Sequence, residues 1–367
     1  MSKAKTGLGL IGTGNIGRAH LVAITALRDA GLVDVDIHAL CDIDEESLKS
    51  AAELFDAAQT YEDYNDLIND DRVDIVYVCT PTSKHTDIVK SAAKAKKDVF
   101  CEKPLAHSCP QAREMFAVTK DEGVKAGVGL VLRYDPFLLY AKQLIETRNF
   151  GYPVLAHIRV DQHFPIEHGY YTQWRGNHSI AGGGTLIEHS IHDIDILQWL
   201  FGDIVSVYAK IGFFSEREVE DQASLILTHK DGTVSTLDSI WHSLDRPNER
   251  RIEFFFEKGH IGVTLESDKR WLEFQTIDEP RVRVHADDAN NALLDTLGVR
   301  AKNIAPEAYD ALATVGTERF SAISYAFIKA IQSDKDPSPG FLDAIAAHRI
   351  VDAAYESSNK TRTVEIL

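Results

Sequence analysis

Three side chains in residues 182–200, GGGTLIEHSIHDIDILQWL, have the types and spacing for proton chemistry: Glu188, His192 and Asp195. The first two are four apart and the third is three further on, spacings that share one face of a helix. Around them Ile187, Ile191 and Ile194, with Leu186, Leu197 and Leu200, repeat with the apolar period of a buried helix. An imidazole titrates near neutrality, so a histidine beside a carboxylate can take up and return a proton. The glycines ahead of them let the backbone approach a ligand closely. Read alone, the same pattern also describes a surface face with a structural, hydrogen-bonded histidine.

Positioning such groups requires elements on both sides of this stretch. At 367 residues the chain exceeds one typical core. It is read as two domains, 1–132 and 133–367. A formal net charge of −17 opposes binding to nucleic acid and to anionic membranes. No apolar run has the length of a membrane span, and the N-terminal MSKAKTGLGLIG lacks a signal-peptide core. Cys41, Cys79, Cys101 and Cys109 lack zinc-type spacing and read as reduced thiols of a cytoplasmic protein.

The first domain carries a nucleotide signature. An apolar run at 7–11 leads into Gly12-Thr13-Gly14-Asn15-Ile16-Gly17 and then a helical pattern, the strand–turn–helix context that this motif needs. The first glycine makes the turn, the second admits a pyrophosphate, and the third lets helix and strand pack closely. A second strand, 35–41, ends at Asp42, somewhat beyond the usual ~20 residues after the motif. A carboxylate there accepts from both adenosine ribose hydroxyls, although Asp42 is also placed to cap a helix at 44–55. Asp44, Glu45 and Glu46 follow with no arginine, which selects NAD over NADP. Strands at 73–79, 98–101 and 125–132 alternate with helices, giving a parallel sheet covered on both faces. Ligands of such sheets sit beyond the carboxyl ends of the strands. Thr80, Pro81, His85, Glu102, Lys103 and Arg133 fall there and are taken with Gly12, Gly14, Asn15, Ile16, Gly17 and Asp42 as cofactor-binding.

After a helix at 136–147, strands are expected at 154–161, 223–229, 233–241, 251–256 and 262–266. Six of the fifteen histidines lie between His157 and His192, with Tyr170, Tyr171, Trp174 and Arg175 among them. Aromatic faces beside fixed polar groups suit a sugar ring, and His163, Trp174, Arg175 and His189 are assigned to the pocket wall. Arg175 has the fork for a carboxylate or phosphate. Glu188, His189 and His192 are of metal-ligating types, but neighbours 188 and 189 diverge by about 100° on a helix, so no metal is expected. Residues 277–315 are polar, irregular and weakly helical, read as an oligomer contact or a lid.

GTGNIG, Asp42, TPTSKH, CEKPLA, GVGLVLRYDP and the GGG stretch with its histidine occur in that order. Together they resemble the glucose–fructose oxidoreductase / inositol dehydrogenase (Gfo/Idh/MocA) family, over nearly the whole chain. The resemblance implies an α/β protein with an N-terminal Rossmann doubly wound parallel sheet. Its C-terminal α+β domain would hold a large, mostly antiparallel open sheet that builds homodimers or homotetramers. It implies NAD(P)-dependent transfer of a hydride to or from a sugar, sugar derivative or cyclic polyol. Lys103 and His192 match the family's catalytic pair; Glu188 is counted with them as catalytic, fixing the imidazole's orientation or binding a substrate hydroxyl, and all three are expected to touch substrate. Glu188 stands where the family usually has aspartate, Ser190 replaces a usual glycine, and His189 is an unusual neighbour. Two other readings stand beside this one: a glycoside hydrolase that oxidises its substrate transiently with bound NAD, and a non-catalytic sensor of NAD or sugar. A sensor would not need Lys103 and His192.

Overall fold

The structure is a computed structural model that describes residues 5–165, 172–265, 270–299, 304–314 and 316–366. The chain opens with β1 (Thr6–Ile11), α1 (Asn15–Asp29), β2 (Val35–Cys41), α2 (Glu45–Phe55), β3 (Gln59–Tyr61), α3 (Tyr64–Ile68), β4 (Ile75–Val78), α4 (His85–Lys94), β5 (Asp98–Cys101), α5 (Cys109–Glu122) and β6 (Ala126–Val128). There follow α6 (Pro136–Thr147), β7 (Pro153–His163), α7 (His178–Ala181), α8 (Ile191–Phe201), β8 (Ile204–Gly212), β9 (Gln222–His229), β10 (Val234–His242) and β11 (Glu249–Phe256). The rest is β12 (Gly259–Leu265), β13 (Trp271–Thr276), β14 (Val282–Val284), α9 (Ala286–Thr296), α10 (Pro306–Ala313), α11 (Glu318–Gln332), α12 (Phe341–Lys360) and β15 (Val364–Glu365).

These elements form two compact units, each discontinuous in sequence. The first comprises Met1–Ala106, Pro110–Tyr134 and Leu294–Ala344; the second comprises His107–Cys109, Asp135–Leu293 and Ile345–Leu367. One cut at 132/133 is therefore a simpler division than the chain makes, since residues 294–344 cluster with the first unit. Their side chains explain this: Leu312, Ile323, Phe327 and Ile328 join the same core as Leu8, Leu21, Ile24 and Tyr77.

In the first unit six parallel strands run in the order β3-β2-β1-β4-β5-β6. The chain reverses direction between β1 and β4, the switch point where such sheets open a ligand crevice. The strand expected at 125–132 is shorter: β6 stops at Val128, and Val131–Tyr134 forms a 3-10 turn. Gly127 and Gly129 weaken the strand. Gly129 has no room for a side chain, because a Cβ there would meet the Glu102 carboxylate at 2.5 Å.

In the second unit nine strands run β14-β13-β12-β11-β7-β10-β9-β8-β15. Every pairing is antiparallel except β7 with β10. Alternation assigns the two faces: Ile158, Val160, Leu225, Leu227, Leu237, Ile252 and Phe254 are buried. Tyr208, Ile226, Ile240 and Phe255 point to the other face and are exposed. Strands β8, β13, β14 and β15 lie outside the strands read from the sequence, as does β3 of the first sheet. Two helices, α9 and α10, fall within the irregular segment 277–315.

The single helix expected through 186–200 is two pieces. Thr185–His189 is a π-helical turn, and α8 starts only at Ile191. The wide turn is set from outside. Glu220 accepts from the backbone N–H groups of Gly184 (2.7 Å) and Leu186 (3.0 Å). Ser239 Oγ lies 2.7 Å from both Thr185 Oγ1 and Ser190 Oγ, so one side chain holds both ends. Glu188 and His192 therefore do not share the face of one regular α-helix.

Candidate active site

The first unit builds a cradle at the switch point. Gly12 has φ +98°, a conformation glycine adopts without strain, and a Cβ there would strike the Cys79 carbonyl oxygen at 2.6 Å. A Cβ on Gly17 would meet the Gly12 carbonyl oxygen at 1.9 Å, so helix and strand touch backbone to backbone. A Cβ on Gly14 would meet nothing within 4 Å; this face of the turn is open. Asn15 and Ile16 begin α1, whose N-terminus no side chain caps. Such a terminus attracts an anion.

Asp42 closes one side of the cradle. Its Oδ2 accepts from Thr13 N–H at 2.7 Å and Thr13 Oγ1 at 3.0 Å, and its Oδ1 accepts from Asp44 N–H at 2.9 Å. The cap of α2 is Asp44, which accepts from Ser47 N–H at 2.7 Å, so Asp42 is not spent on that helix. Across the switch point Thr80 Oγ1 is buried and has no hydrogen-bond partner among the described residues. An open glycine turn, an uncapped helix end, a carboxylate at the end of β2 and an orphaned hydroxyl fit a dinucleotide. Gly14→Val should weaken NADH binding at least about tenfold, about 1.4 kcal/mol, with an unchanged melting temperature. Gly17→Ala should instead destabilise the fold by about 1–3 kcal/mol. NADH fluorescence titration and thermal melts measure both, and a Gly14→Val protein that binds NADH normally would refute the cradle.

The other residues assigned to the cofactor have structural partners. Buried His85 places Nδ1 3.0 Å from the Pro104 carbonyl oxygen and Nε2 2.9 Å from that of Thr80, bracing the loop of Pro81 to the loop of Lys103. Glu102 turns inward: its Oε1 lies 2.8 Å from His20 Nε2, and its Oε2 accepts from Lys103 N–H at 3.1 Å. Arg133 pairs with Asp343, Nη2 to Oδ1 3.0 Å. Lys103 thus leaves a backbone pinned on both sides.

In the second unit Glu188 is buried on the π-helical turn and pairs with Arg175 Nε at 3.1 Å. Arg175 also donates to Thr172 Oγ1 at 3.1 Å and lies over the Trp174 ring at 4.5 Å. The guanidinium is thus divided between the Glu188 carboxylate, through Nε, and the Thr172 hydroxyl, through Nη1. His189 Nε2 lies 3.0 Å from Arg250 Nη2, so it accepts and the ring proton is on Nδ1. Arg250, fully buried on β11, reaches Asp193 Oδ1 at 2.7 Å. His192 stands in the first turn of α8, 7% exposed, with buried Asp195 one turn on. His163 ends β7 on the face opposite Val160; its N–H donates to Asn248 at 2.8 Å and its ring lies edge-on to His242, centroids 5.1 Å apart. Tyr170 and Tyr171 lie outside the described residues.

Sequence reasoning missed Arg250, Glu220, Ser239 and Tyr355. Tyr355 donates to Glu220 Oε1 at 2.8 Å, and burial pushes the Glu220 carboxyl upward. Arg250 was detectable: it falls in phase with the core-facing Ile252 and Phe254. Glu220 ends the polar run SEREVE, where nothing marks it.

Residues 6–130 match the model of an oxidoreductase family with an NAD-binding Rossmann fold, GFO_IDH_MocA, and residues 138–262 match the C-terminal domain model of the same family. A myo-inositol 2-dehydrogenase from Thermotoga maritima is 30% identical over 260 residues, 69% of this chain and 74% of the relative. A levoglucosan dehydrogenase from Pseudarthrobacter phenanthrenivorans is 25% identical over 390 residues, 98% of this chain and 97% of the relative. Among solved structures, a levoglucosan dehydrogenase in complex with NADH and levoglucosan superposes with a TM-score of 0.85 at 23% identity, covering 99% of each chain. That likeness carries the fold. No described helix is long and apolar enough to cross a membrane.

Proposed function

We infer, because the chain belongs to the Gfo/Idh/MocA family of NAD-binding oxidoreductases, that it oxidises a hydroxyl or reduces a carbonyl on a sugar, sugar derivative or cyclic polyol. The observation that carries this reading is the open cradle at Gly14 in a Rossmann sheet whose β5 is followed directly by Glu102-Lys103-Pro104. The relatives that act on myo-inositol and levoglucosan support a ring substrate rich in hydroxyls. Their names favour net dehydrogenation over glycoside cleavage or sensing.

Bound NAD would supply the hydride acceptor. The chain's own residues would handle the proton and the charge. His192 takes the hydroxyl proton as general base, since an imidazole titrates close to working pH. Lys103 donates a hydrogen bond to the substrate oxygen as it gains negative charge, stabilising the transition state more than the bound alcohol. Glu188, charge-paired with Arg175, orients the substrate or the imidazole. His163, Trp174 and His189 are proposed to complete the wall, with Lys103 also touching substrate. On the cofactor side Asn15, Ile16, Pro81, His85, Glu102 and Arg133 are proposed to shape the NAD site around the glycines, Thr80 and Asp42. Acidic Asp42, Asp44, Glu45 and Glu46 favour NAD over a 2′-phosphorylated cofactor. Residues 1–132 are assigned to the cofactor and 133–367 to substrate and assembly, except that 294–344 complete the core of the cofactor unit.

The exposed Tyr208, Ile226, Ile240 and Phe255 on one sheet face support a homodimer or homotetramer, whose mass light scattering reads. Four free cysteines support a cytoplasmic location. A panel of inositols, aldoses and sugar acids with NAD and NADP, followed by NADH absorbance, tests the reaction. At least one ring polyol or sugar should reduce NAD, with NADP slower. No absorbance change across the panel would sink hydride transfer, and a preference for NADP would remove the Asp42 argument.

A further inference from the structure

His20 lies on the buried stripe of α1 with Leu21, Ile24 and Leu27, where a fourth aliphatic residue would pack as well. It is fully buried, edge-on to Tyr77, Phe100 and Phe320 with ring centroids 5.4, 5.0 and 5.2 Å away. Its Nε2 is 2.8 Å from Glu102 Oε1, and its Nδ1 is 3.2 Å from Ser324 Oγ on α11, which packs along α1. The other Glu102 oxygen accepts from the backbone N–H of Lys103 at 3.1 Å. The Cβ-free surface of Gly129 makes room for this carboxylate. A carboxylate among aromatic rings is costly unless its lone pairs are satisfied. One imidazole tautomer satisfies the whole line: Nε2–H donates to Glu102, and Nδ1 accepts from the Ser324 hydroxyl. The line ends on the residue that carries the ammonium.

We propose that His20 is a positioning residue for the hydride-transfer reaction: through Glu102 it fixes the backbone from which Lys103 reaches the substrate. This inference rests on the role of Lys103 given above. Glu102 is then an internal strut rather than a cofactor ligand, which explains why its side chain turns away from solvent. A histidine does here what an aliphatic residue cannot, because Glu102 must be held by a donor whose far side is itself held. Misplacing a reacting group by a fraction of its reach costs far more in turnover than in binding.

The test compares His20→Leu, His20→Gln and Ser324→Ala with Lys103→Met in the full-length protein. Turnover is measured on the fastest substrate of the panel, binding by NADH fluorescence, and local order by amide hydrogen exchange of the protein alone. His20→Leu should lower kcat about 10- to 100-fold while KM and the NADH Kd move less than about threefold. The peptide containing Lys103 should exchange faster, with the rest of α1 unchanged. His20→Gln, whose amide can donate to Glu102 and accept from Ser324, should restore most of both. The inference is overturned if exchange at Lys103 is unaffected, if His20→Gln is as impaired as His20→Leu, or if NADH binding falls in step with turnover. Should His20→Leu not fold, Ser324→Ala decides. It should lower kcat and loosen the Lys103 peptide to a lesser degree, and no change in either overturns the inference. If Lys103→Met keeps its turnover, the reading of Lys103 fails on its own, whatever exchange shows for His20.

Discussion

Lys103→Met should lower kcat by about 10²- to 10³-fold while NADH still binds, because it removes one preorganised donor to an oxygen that gains charge only in the transition state. Methionine keeps the length and apolar stem of lysine, so the loop has no steric reason to move. The backbone is held on both sides, by Glu102 accepting the Lys103 N–H and by His85 facing the Pro104 carbonyl. Loss of uniform binding would raise KM and leave kcat unchanged; loss of a transition-state donor falls on kcat. His192→Ala should cost about 10²- to 10⁴-fold, as expected for a general base. The double variant should be little worse than the poorer single one, since residues that act on one step are not additive. Steady-state kinetics beside NADH titration reads all three. Turnover within a few-fold of wild type in either single variant would strip that residue of its role.

The first half of the chain was largely legible because its signals are local. A glycine motif between an apolar run and a helix fixes where β1 ends and α1 begins, and apolar runs bounded by turns mark β2 and β5 at their observed limits. The second half depends on partners far away in sequence. Residues 182–200 have the composition of one helix, yet Glu220 and Ser239 hold their first turns open into a π-turn from 34 to 54 residues away. No period in the stretch itself records that. Strand β8, exposed at Tyr208 and Lys210, lacks the apolar run that revealed its neighbour β9. The site shows the same split. Gly12, Gly14 and Gly17 could be assigned roles from spacing because each is defined by backbone geometry. Arg175 could not: its guanidinium looks available in sequence, and only the structure shows its Nε on Glu188 and its Nη1 on Thr172.

Arg250→Met should destabilise the second unit by about 3–5 kcal/mol, because it leaves the Asp193 carboxylate buried without its cation. Both side chains are 1% exposed, and their closest approach is 2.7 Å. The pair ties α8 to β11, so its loss acts on the element that carries His192. All four tryptophans, Trp174, Trp199, Trp241 and Trp271, lie in this unit, which makes urea unfolding followed by tryptophan fluorescence a direct reading of it. Replacing both partners, Arg250→Met with Asp193→Leu, should recover much of the loss, since the desolvation of two charges is removed with their attraction. Recovery should stop short of wild type, because half-buried His189 still loses the donor that Arg250 provides to its Nε2. A single variant within about 1 kcal/mol of wild type would show that the pair adds little beyond the cost of burying it. A double variant no more stable than the single would locate the loss in the packing of the Arg250 stem rather than in the stranded charge.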